Sequence, residues 1–193
     1  MSRAIRTTLF ALTSLLLTGC YLFSEPLYSE EIGHVDDRLI GEWVSVATPD
    51  AGLSSDTPIS ISLPSIYQRA TADVSPHTVL IDADGRPFGG SPGNINGVQI
   101  GGRAMLEVEH NPEGGVDPTG YELYMYQFVD DRLQIFRLGR GTRGEMDTLQ
   151  IRYTQADGRF SPVRIAQHDD RLLRWMVENL GAWEPFIELQ RAN

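Results

Sequence analysis

Short stretches of alternating apolar and polar residues, separated by turn residues, run through most of this chain. A period of two residues is typical of β-strands that bury one face. The pattern is clear in 106–109, and the full set of segments that we predict as strands is 39–46, 59–63, 78–82, 98–100, 106–109, 121–129, 132–138, 148–154, a segment beginning at 160, and 185–190. The pattern therefore predicts a mostly β domain built as an antiparallel meander or a small barrel.

Turn residues divide the predicted strands. Asp130 and Asp131 separate 121–129 from 132–138 and predict the clearest hairpin of the chain. Asn96-Gly97 is a tight-turn signal ahead of 98–100. Two segments rich in Gly, Pro, Ser and Asp, 48–58 and 83–97, are predicted as long loops.

One segment near the C-terminus has the helical period instead. Asp169 or Asp170 is expected to cap its start, and Gly181 to follow its last turn. The apolar residues of its expected buried face are Leu172, Leu173, Met176, Val177 and Leu180. We therefore predict one C-terminal helix, followed by the closing strand 185–190.

The N-terminus has a third pattern. Arg3 and Arg6 precede an apolar run from about Thr7 to Leu17, which small residues and Cys20 follow. A membrane-spanning helix needs about 20 apolar residues, whereas the apolar region of a secretory signal peptide needs about 7–15. The run fits a signal peptide, and the alternative of a core helix with a chance cysteine is disfavoured because Cys20 is the only cysteine.

The sequence Leu17-Thr18-Gly19-Cys20 resembles the lipobox of bacterial lipoprotein precursors. In that family the residue matching Cys20 takes a diacylglyceryl group on its sulfur and becomes the new N-terminus. The resemblance implies a signal peptide at 1–19, a lipidated tether at 20–35 and a β domain with a C-terminal helix at 36–193. Residue Tyr21 is not the aspartate that often retains such lipoproteins at the inner membrane. We therefore expect a cell-envelope protein anchored in the outer membrane and facing the periplasm.

The charge balance narrows the range of partners. The net charge is −10, and all the basic residues are arginine. Such an acidic chain argues against nucleic acid and against docking on anionic lipid through protein charge, so attachment is expected through acyl chains. The single cysteine leaves no intramolecular disulfide.

No pattern of catalytic or metal-binding residues is present in the sequence. Asp82-Ala83-Asp84-Gly85 begins like a calcium loop, but Arg86 and Pro87 stand where an acid or amide and a glycine are required, so a turn is predicted. The four histidines lack metal-ligand spacing and are expected on surfaces or loops: His34, His77, His110 and His168. We expect no metal, no cofactor, no catalytic residue and no enzymatic activity.

Two clusters of residues are candidates for binding. Arg140 and Arg143 lie among three glycines in 138–144, where they either grip an anion or acidic partner or form a flexible solvated loop. On strict alternation Tyr124, Tyr126 and Phe128 share one face, with Tyr121 close by in the same strand. They either line a ligand pocket or form plain core.

The stretch Gly41-Glu42-Trp43 resembles the Gly-x-Trp opening of lipocalin-like barrels. In that family the glycine lets the first strand bend and the tryptophan plugs the closed end; a structural tryptophan in an ordinary β-sandwich is the alternative. The strand, helix and strand order also resembles a loose group of bacterial lipoproteins of unknown function. The resemblance implies a binding module for a small apolar ligand or a protein partner. The alternative is a structural or assembly lipoprotein that acts as a docking surface without a ligand pocket.

Overall fold

A computed structural model describes residues 21–46, 56–65, 75–83, 91–111, 120–139, 142–155, 163–166 and 169–192. The strands are β1 (Tyr21–Phe23), β2 (Gly41–Ser45), β3 (Pro58–Ser62), β4 (Thr78–Ala83), β5 (Ser91–Ile100), β6 (Arg103–Asn111), β7 (Gly120–Val129), β8 (Arg132–Leu138), β9 (Tyr153–Gln155), β10 (Val163–Ile165) and β11 (Trp183–Arg191). The α-helices are α1 (Thr142–Leu149) and α2 (Asp170–Glu178), and 3₁₀ turns span Asp37–Leu39 and Leu180–Ala182.

Eight antiparallel strands close into a barrel in the order β2-β3-β4-β5-β6-β7-β8-β11. Neighbours in sequence are neighbours in the sheet from β2 to β8, and β11 closes the ring because Leu189 pairs with Ser45. The predicted hairpin is present, with Val129 opposite Arg132. The predicted mostly β class, with a C-terminal helix and a closing strand in a small lipocalin-like barrel, is therefore confirmed.

Alternate residues of the barrel strands point inward and form a single apolar cluster. Tyr124, Tyr126 and Phe128 share this inward face, as their alternation predicts. The buried members of the cluster are Leu39, Trp43, Ile59, Ile61, Val79, Ile95, Leu106, Val108, Tyr124, Tyr126, Leu133, Ile135, Phe186, Ile187 and Leu189. All eight barrel strands contribute, so side chains occupy the described part of the interior.

A second layer covers one side of the barrel from outside. Strand β1 pairs in parallel with β10, and β10 pairs with β9. Phe23 pairs with Tyr121, which extends the sheet from the beginning of β7. The helices α1 and α2 pack here as well, and Met146 and Met176 are buried in the same cluster as Phe23.

Helix α2 begins as predicted but ends earlier. The Asp169 side chain accepts a hydrogen bond from the Arg171 backbone N–H at 2.8 Å and so caps the first turn. Leu172 and Met176 are buried, whereas Leu180 is 47% exposed. The prediction that Leu180 docks is wrong, because the α-helix ends at Glu178 and a 3₁₀ turn carries Leu180 away from the buried face.

The prediction of a strand at 148–154 is also wrong for most of these residues. Helix α1 continues to Leu149, and the strand here is the short β9. Thr142 and Met146 are buried one helical turn apart, and Ile151 is buried after the helix. A short apolar run of this kind does not distinguish a helix from a strand, so tertiary packing decides between them.

The predicted turn at Asn96-Gly97 is instead the middle of β5. The chain reverses at Gly101 and Gly102, whose φ angles are +55° and +80°. Gly97 is needed for a different reason, since a Cβ there would lie 2.2 Å from the carbonyl oxygen of His34. The loop predicted at 83–97 is therefore wrong for its second half, which forms the start of β5.

The described part of the segment expected as a tether packs against the barrel. Tyr21 and Phe23 are buried in the sheet, and Gly33 forms a β-bridge with Val98 of β5. Residues 21–35 therefore do not form a solvated spacer. Cys20, the predicted signal peptide, Arg140, His168 and the predicted turn residues 84–87 lie outside the described residues. Among the described helices, none combines the length and the apolar character that a membrane span requires.

Candidate binding cleft

Trp43 lies at one end of the barrel, beside a pocket of about 190 Å³ that Arg38 and Phe128 also line. The Trp43 side chain is 2% exposed, and its Nε1–H donates to the Leu39 carbonyl oxygen at 2.9 Å. The Arg38 guanidinium lies 4.4 Å from the centre of the Phe128 ring at the same end. Trp43 is thus a buried core residue at this end of the barrel, as the sequence predicts.

The backbone angle, together with the approach of Arg191, favours glycine two residues before Trp43. The Arg191 guanidinium lies 4.0 Å from the Trp43 ring and donates to the carbonyl oxygens of Ile40 and Arg38. A Cβ at Gly41 would lie 2.1 Å from Nη1 of Arg191, and the Gly41 φ angle is +138°. Arg191 stands at the end of the last strand, so no local pattern connects it to Gly41.

A polar network lies inside the barrel towards the opposite end. The Glu122 carboxylate accepts a hydrogen bond from the Tyr124 hydroxyl at 2.7 Å and lies 3.1 Å from Nε2 of His110. These contacts offset the cost of burying a carboxylate, so we assign the network to the structure of the barrel. His110 is therefore half-buried in a strand, and the expectation of a surface or loop histidine is wrong for this residue.

Glu107 holds the N-terminal segment on the outer wall. Its side chain points out of the barrel but is only 1% exposed. The carboxylate accepts hydrogen bonds from the backbone N–H groups of Leu27 and Tyr28, the latter at 3.2 Å. The apolar–polar alternation of 106–109 gives no sign that this outward glutamate is covered.

Between this segment and strands β4 and β5 there is a cleft of about 380 Å³, which we call the wall cleft. This volume lies within the usual range of small-molecule sites, about 300–1,000 Å³. The described residues that line the wall cleft are Tyr28, Glu30, Ser75, Pro76, Thr78, Asn94 and Asn96. Thr78 and Asn96 alternate with the inward residues Val79 and Ile95, so the cleft lies outside the barrel.

A chain of hydrogen bonds orients Asn96 in the wall cleft. The His77 backbone N–H donates to Ser75 Oγ at 3.0 Å, and Ser75 Oγ donates to Asn96 Oδ1 at 3.3 Å. Thr78 Oγ1 donates to the same oxygen at 2.9 Å. The Asn96 side-chain oxygen is thus occupied, whereas its amide nitrogen makes no hydrogen bond with a described residue and keeps two donors available.

Glu30, Asn94 and Tyr28 supply the other polar groups of the wall cleft. Glu30 and Asn94 are exposed, and their side chains make no hydrogen bond with a described residue. The Tyr28 hydroxyl lies 3.1 Å from Nδ1 of His77, which fixes the position of its ring. Among the described lining residues Glu30 is the charged one, so the cleft combines donors, acceptors and an aromatic ring without a cation.

The other residues that the sequence offers for anion or metal binding lie outside the wall cleft. Arg143 lies in the first turn of α1 and donates to the Tyr153 hydroxyl at 3.3 Å and to Gln155 Oε1 at 2.8 Å, so the flexible-loop alternative is wrong for this residue. Asp82 is exposed on β4. In the described part of the chain, His, Cys, Asp and Glu side chains form no group of three that can hold a metal ion.

Sequence reasoning missed the wall cleft because its residues come from three separate segments. Asn96 belongs to the predicted turn, and Tyr28 belongs to the predicted tether. Ser75 precedes the predicted strand 78–82, and Thr78 begins it. Three aromatic residues in the predicted tether, Tyr21, Phe23 and Tyr28, are unusual for a solvated linker and are the signal that could have placed it on the domain. Comparison of the chain with protein-family models, curated proteins and solved structures finds no match.

Proposed function

We propose that this protein is a lipid-anchored lipoprotein of the cell envelope, held through Cys20 in the outer membrane with its barrel in the periplasm. The N-terminal pattern from Arg3 to Cys20 supports the anchor. In this proposal the barrel is a rigid binding module, and its role is to hold a partner near the membrane without chemical conversion.

The binding role is supported by a difference between the barrel interior, which side chains occupy, and the outer wall, which has an open cleft. Inward side chains from all eight strands occupy the described interior, Tyr124 and Tyr126 among them. The wall cleft, in contrast, presents an amide, a carboxylate and an aromatic ring to solvent. The site that we propose is therefore the wall cleft, and a polar ligand or a protein partner fits it better than a small apolar ligand.

Site-specific photo-cross-linking in cells tests this proposal. The photoreactive residue p-benzoylphenylalanine is incorporated at Asn94, which is exposed at the wall cleft, or at Gln127, which is exposed on β7. We expect an irradiation-dependent adduct from position 94 and none from position 127. Equal adducts from both positions, or none from position 94, would overturn the assignment of the site.

The alternative of a docking surface without a ligand pocket predicts a different pattern. A broad protein interface covers about 800 Å² on each partner, which is much wider than the mouth of a small cleft. Cross-links to one protein from several outward positions around the barrel would favour that alternative. Cross-links confined to the wall cleft favour the binding module.

A further inference from the structure

We infer that the wall cleft binds a neutral carbohydrate, such as a glycan chain of the envelope, and this inference rests on the proposed function. The argument begins with hydrogen-bonding capacity. Each hydroxyl of a sugar both donates and accepts, and adjacent hydroxyls bind best to side chains that offer both functions. The wall cleft supplies donors from the Asn96 amide, acceptors from the Glu30 carboxylate, and both from the Asn94 amide.

The orientation of Asn96 is fixed before any ligand arrives. Two hydroxyl groups, those of Ser75 and Thr78, donate to its Oδ1 at 3.3 Å and 2.9 Å. A rotation that exchanged oxygen and nitrogen would require both hydroxyls to change from donor to acceptor, and Ser75 Oγ already accepts from the His77 N–H. The amide nitrogen is therefore preorganised as a donor, which lowers the entropic cost of binding a polar ligand.

The Tyr28 ring supplies the apolar part of the site. A sugar ring has a face made of C–H groups, and aromatic side chains combine an apolar surface with few rotatable bonds. The Tyr28 hydroxyl contacts His77 at 3.1 Å, and its backbone N–H is held by the buried Glu107. Two anchors on one residue hold the ring in place beside the amide groups.

The charge of the described lining disfavours anionic ligands. Phosphates and carboxylates are recognised through arginine, lysine or clustered backbone N–H groups. The described lining contains no basic side chain, and Glu30 together with Glu109, which accepts from the Asn94 backbone N–H at 3.3 Å, makes this region negative. A neutral ligand is therefore favoured over an anionic one.

Titration of the detergent-solubilised full chain with the neutral trisaccharide tri-N-acetylchitotriose tests the inference. We expect saturable binding with a Kd of about 1 mM, as measured by NMR or calorimetry. Asn96→Asp keeps the oxygen that Ser75 and Thr78 contact but removes both donors, and it should weaken binding by about tenfold or more. Gln127→Glu makes the same change of chemistry on the distant β7 surface and should leave the affinity unchanged.

Two further variants separate the contributions of the ring and the carboxylate. Tyr28→Ala removes the ring and Glu30→Gln removes the carboxylate, and each change should weaken binding measurably. Circular dichroism and thermal melting confirm that each variant is folded.

Three outcomes would overturn the inference. These are the absence of saturable binding of the trisaccharide, an equal loss of affinity in Asn96→Asp and Gln127→Glu, and a sulfated oligosaccharide that binds more tightly than the trisaccharide. If the trisaccharide fails while position 94 still cross-links to a protein, the carbohydrate inference falls and the proposed binding role stands. If position 94 yields no adduct in cells, the proposed function itself falls.

Discussion

Gly41 and Arg191 show how one residue identity depends on a residue far along the chain. The guanidinium of Arg191 passes over Gly41 to reach the Ile40 carbonyl oxygen at 2.9 Å and the Trp43 ring at 4.0 Å. Any side chain at position 41 meets Nη1 of Arg191 and must also adopt a φ of +138°. The glycine therefore permits both the backbone angle at the start of β2 and the packing of Arg191 on Trp43.

Gly41→Ala should therefore destabilise the domain by at least about 1–3 kcal/mol, the usual cost of a strained backbone, with the displacement of Arg191 in addition. Gly144→Ala is the matched control, because it is inside helix α1 and a Cβ there would meet no atom within 4 Å apart from its chain neighbours and its own helix backbone. That change should be neutral or stabilise by about 0.5–1 kcal/mol. Chemical denaturation of both variants measures the difference, and equal stabilities would contradict the role of Gly41.

Tyr126 gives the barrel interior a pH dependence at alkaline pH. Burial raises the pKa of its phenol from 10.0 to about 12. Because the folded pKa lies above the unfolded one, this contribution to stability is complete below about pH 10 and is lost as the pH rises to about 12. Tyr126→Phe should lose less stability than the wild type between these two pH values. Urea denaturation across that range tests this, and parallel losses would show that Tyr126 does not titrate in the interior.

At the scale of elements, the stability of helix α2 depends on the apolar face that it buries. Met176 is 1% exposed and Leu172 fully buried, whereas Glu178 is exposed at the last helical position. A helix of this length is marginal in water without tertiary contacts. Met176→Asp places an unpaired carboxylate in the apolar cluster and should unfold the helix or the domain. Glu178→Ala should change the free energy of unfolding by less than about 0.5 kcal/mol, and equal losses in the two variants would mean that α2 is not docked by this face.

The elements also show where sequence patterns fail to predict the structure. Barrel strands that face solvent on their outer side are predictable from alternation, as at the start of β8. Strand β7 is buried on both faces from Glu122 to Tyr126, because the outer layer covers it there. Strand β1 and helix α1 lie in the outer layer, where partners from distant segments bury short runs that have no period of their own. The wall cleft had no local signal either, because the buried Glu107 that positions Tyr28 is 79 residues away from it in sequence.

At the scale of the whole molecule, the anchor is the first property to test. We expect Cys20→Ala to abolish incorporation of a fatty-acid probe and to release the protein from the membrane fraction, because the sulfur of Cys20 is the proposed attachment point. Labelling of the mutant as strong as that of the wild type would contradict the lipobox. Separation of the membranes on a density gradient tests the second part, since recovery with inner-membrane markers would contradict the outer-membrane assignment.

If Cys20 carries the lipid, the barrel lies directly against the membrane. Tyr21, the next residue, is already paired with Val163 in the outer sheet and is 5% exposed, so no free chain separates domain and anchor. Neutron reflectometry of the protein on a supported bilayer should then detect no hydrated gap between the headgroups and the protein layer. An inserted Gly/Ser spacer of about 15 residues between Cys20 and Tyr21 is the control and should open a gap of about 20 Å, the mean span of such a chain. A gap of that size in the protein without the spacer would mean that β1 detaches at the membrane and that its residues serve as a tether after all.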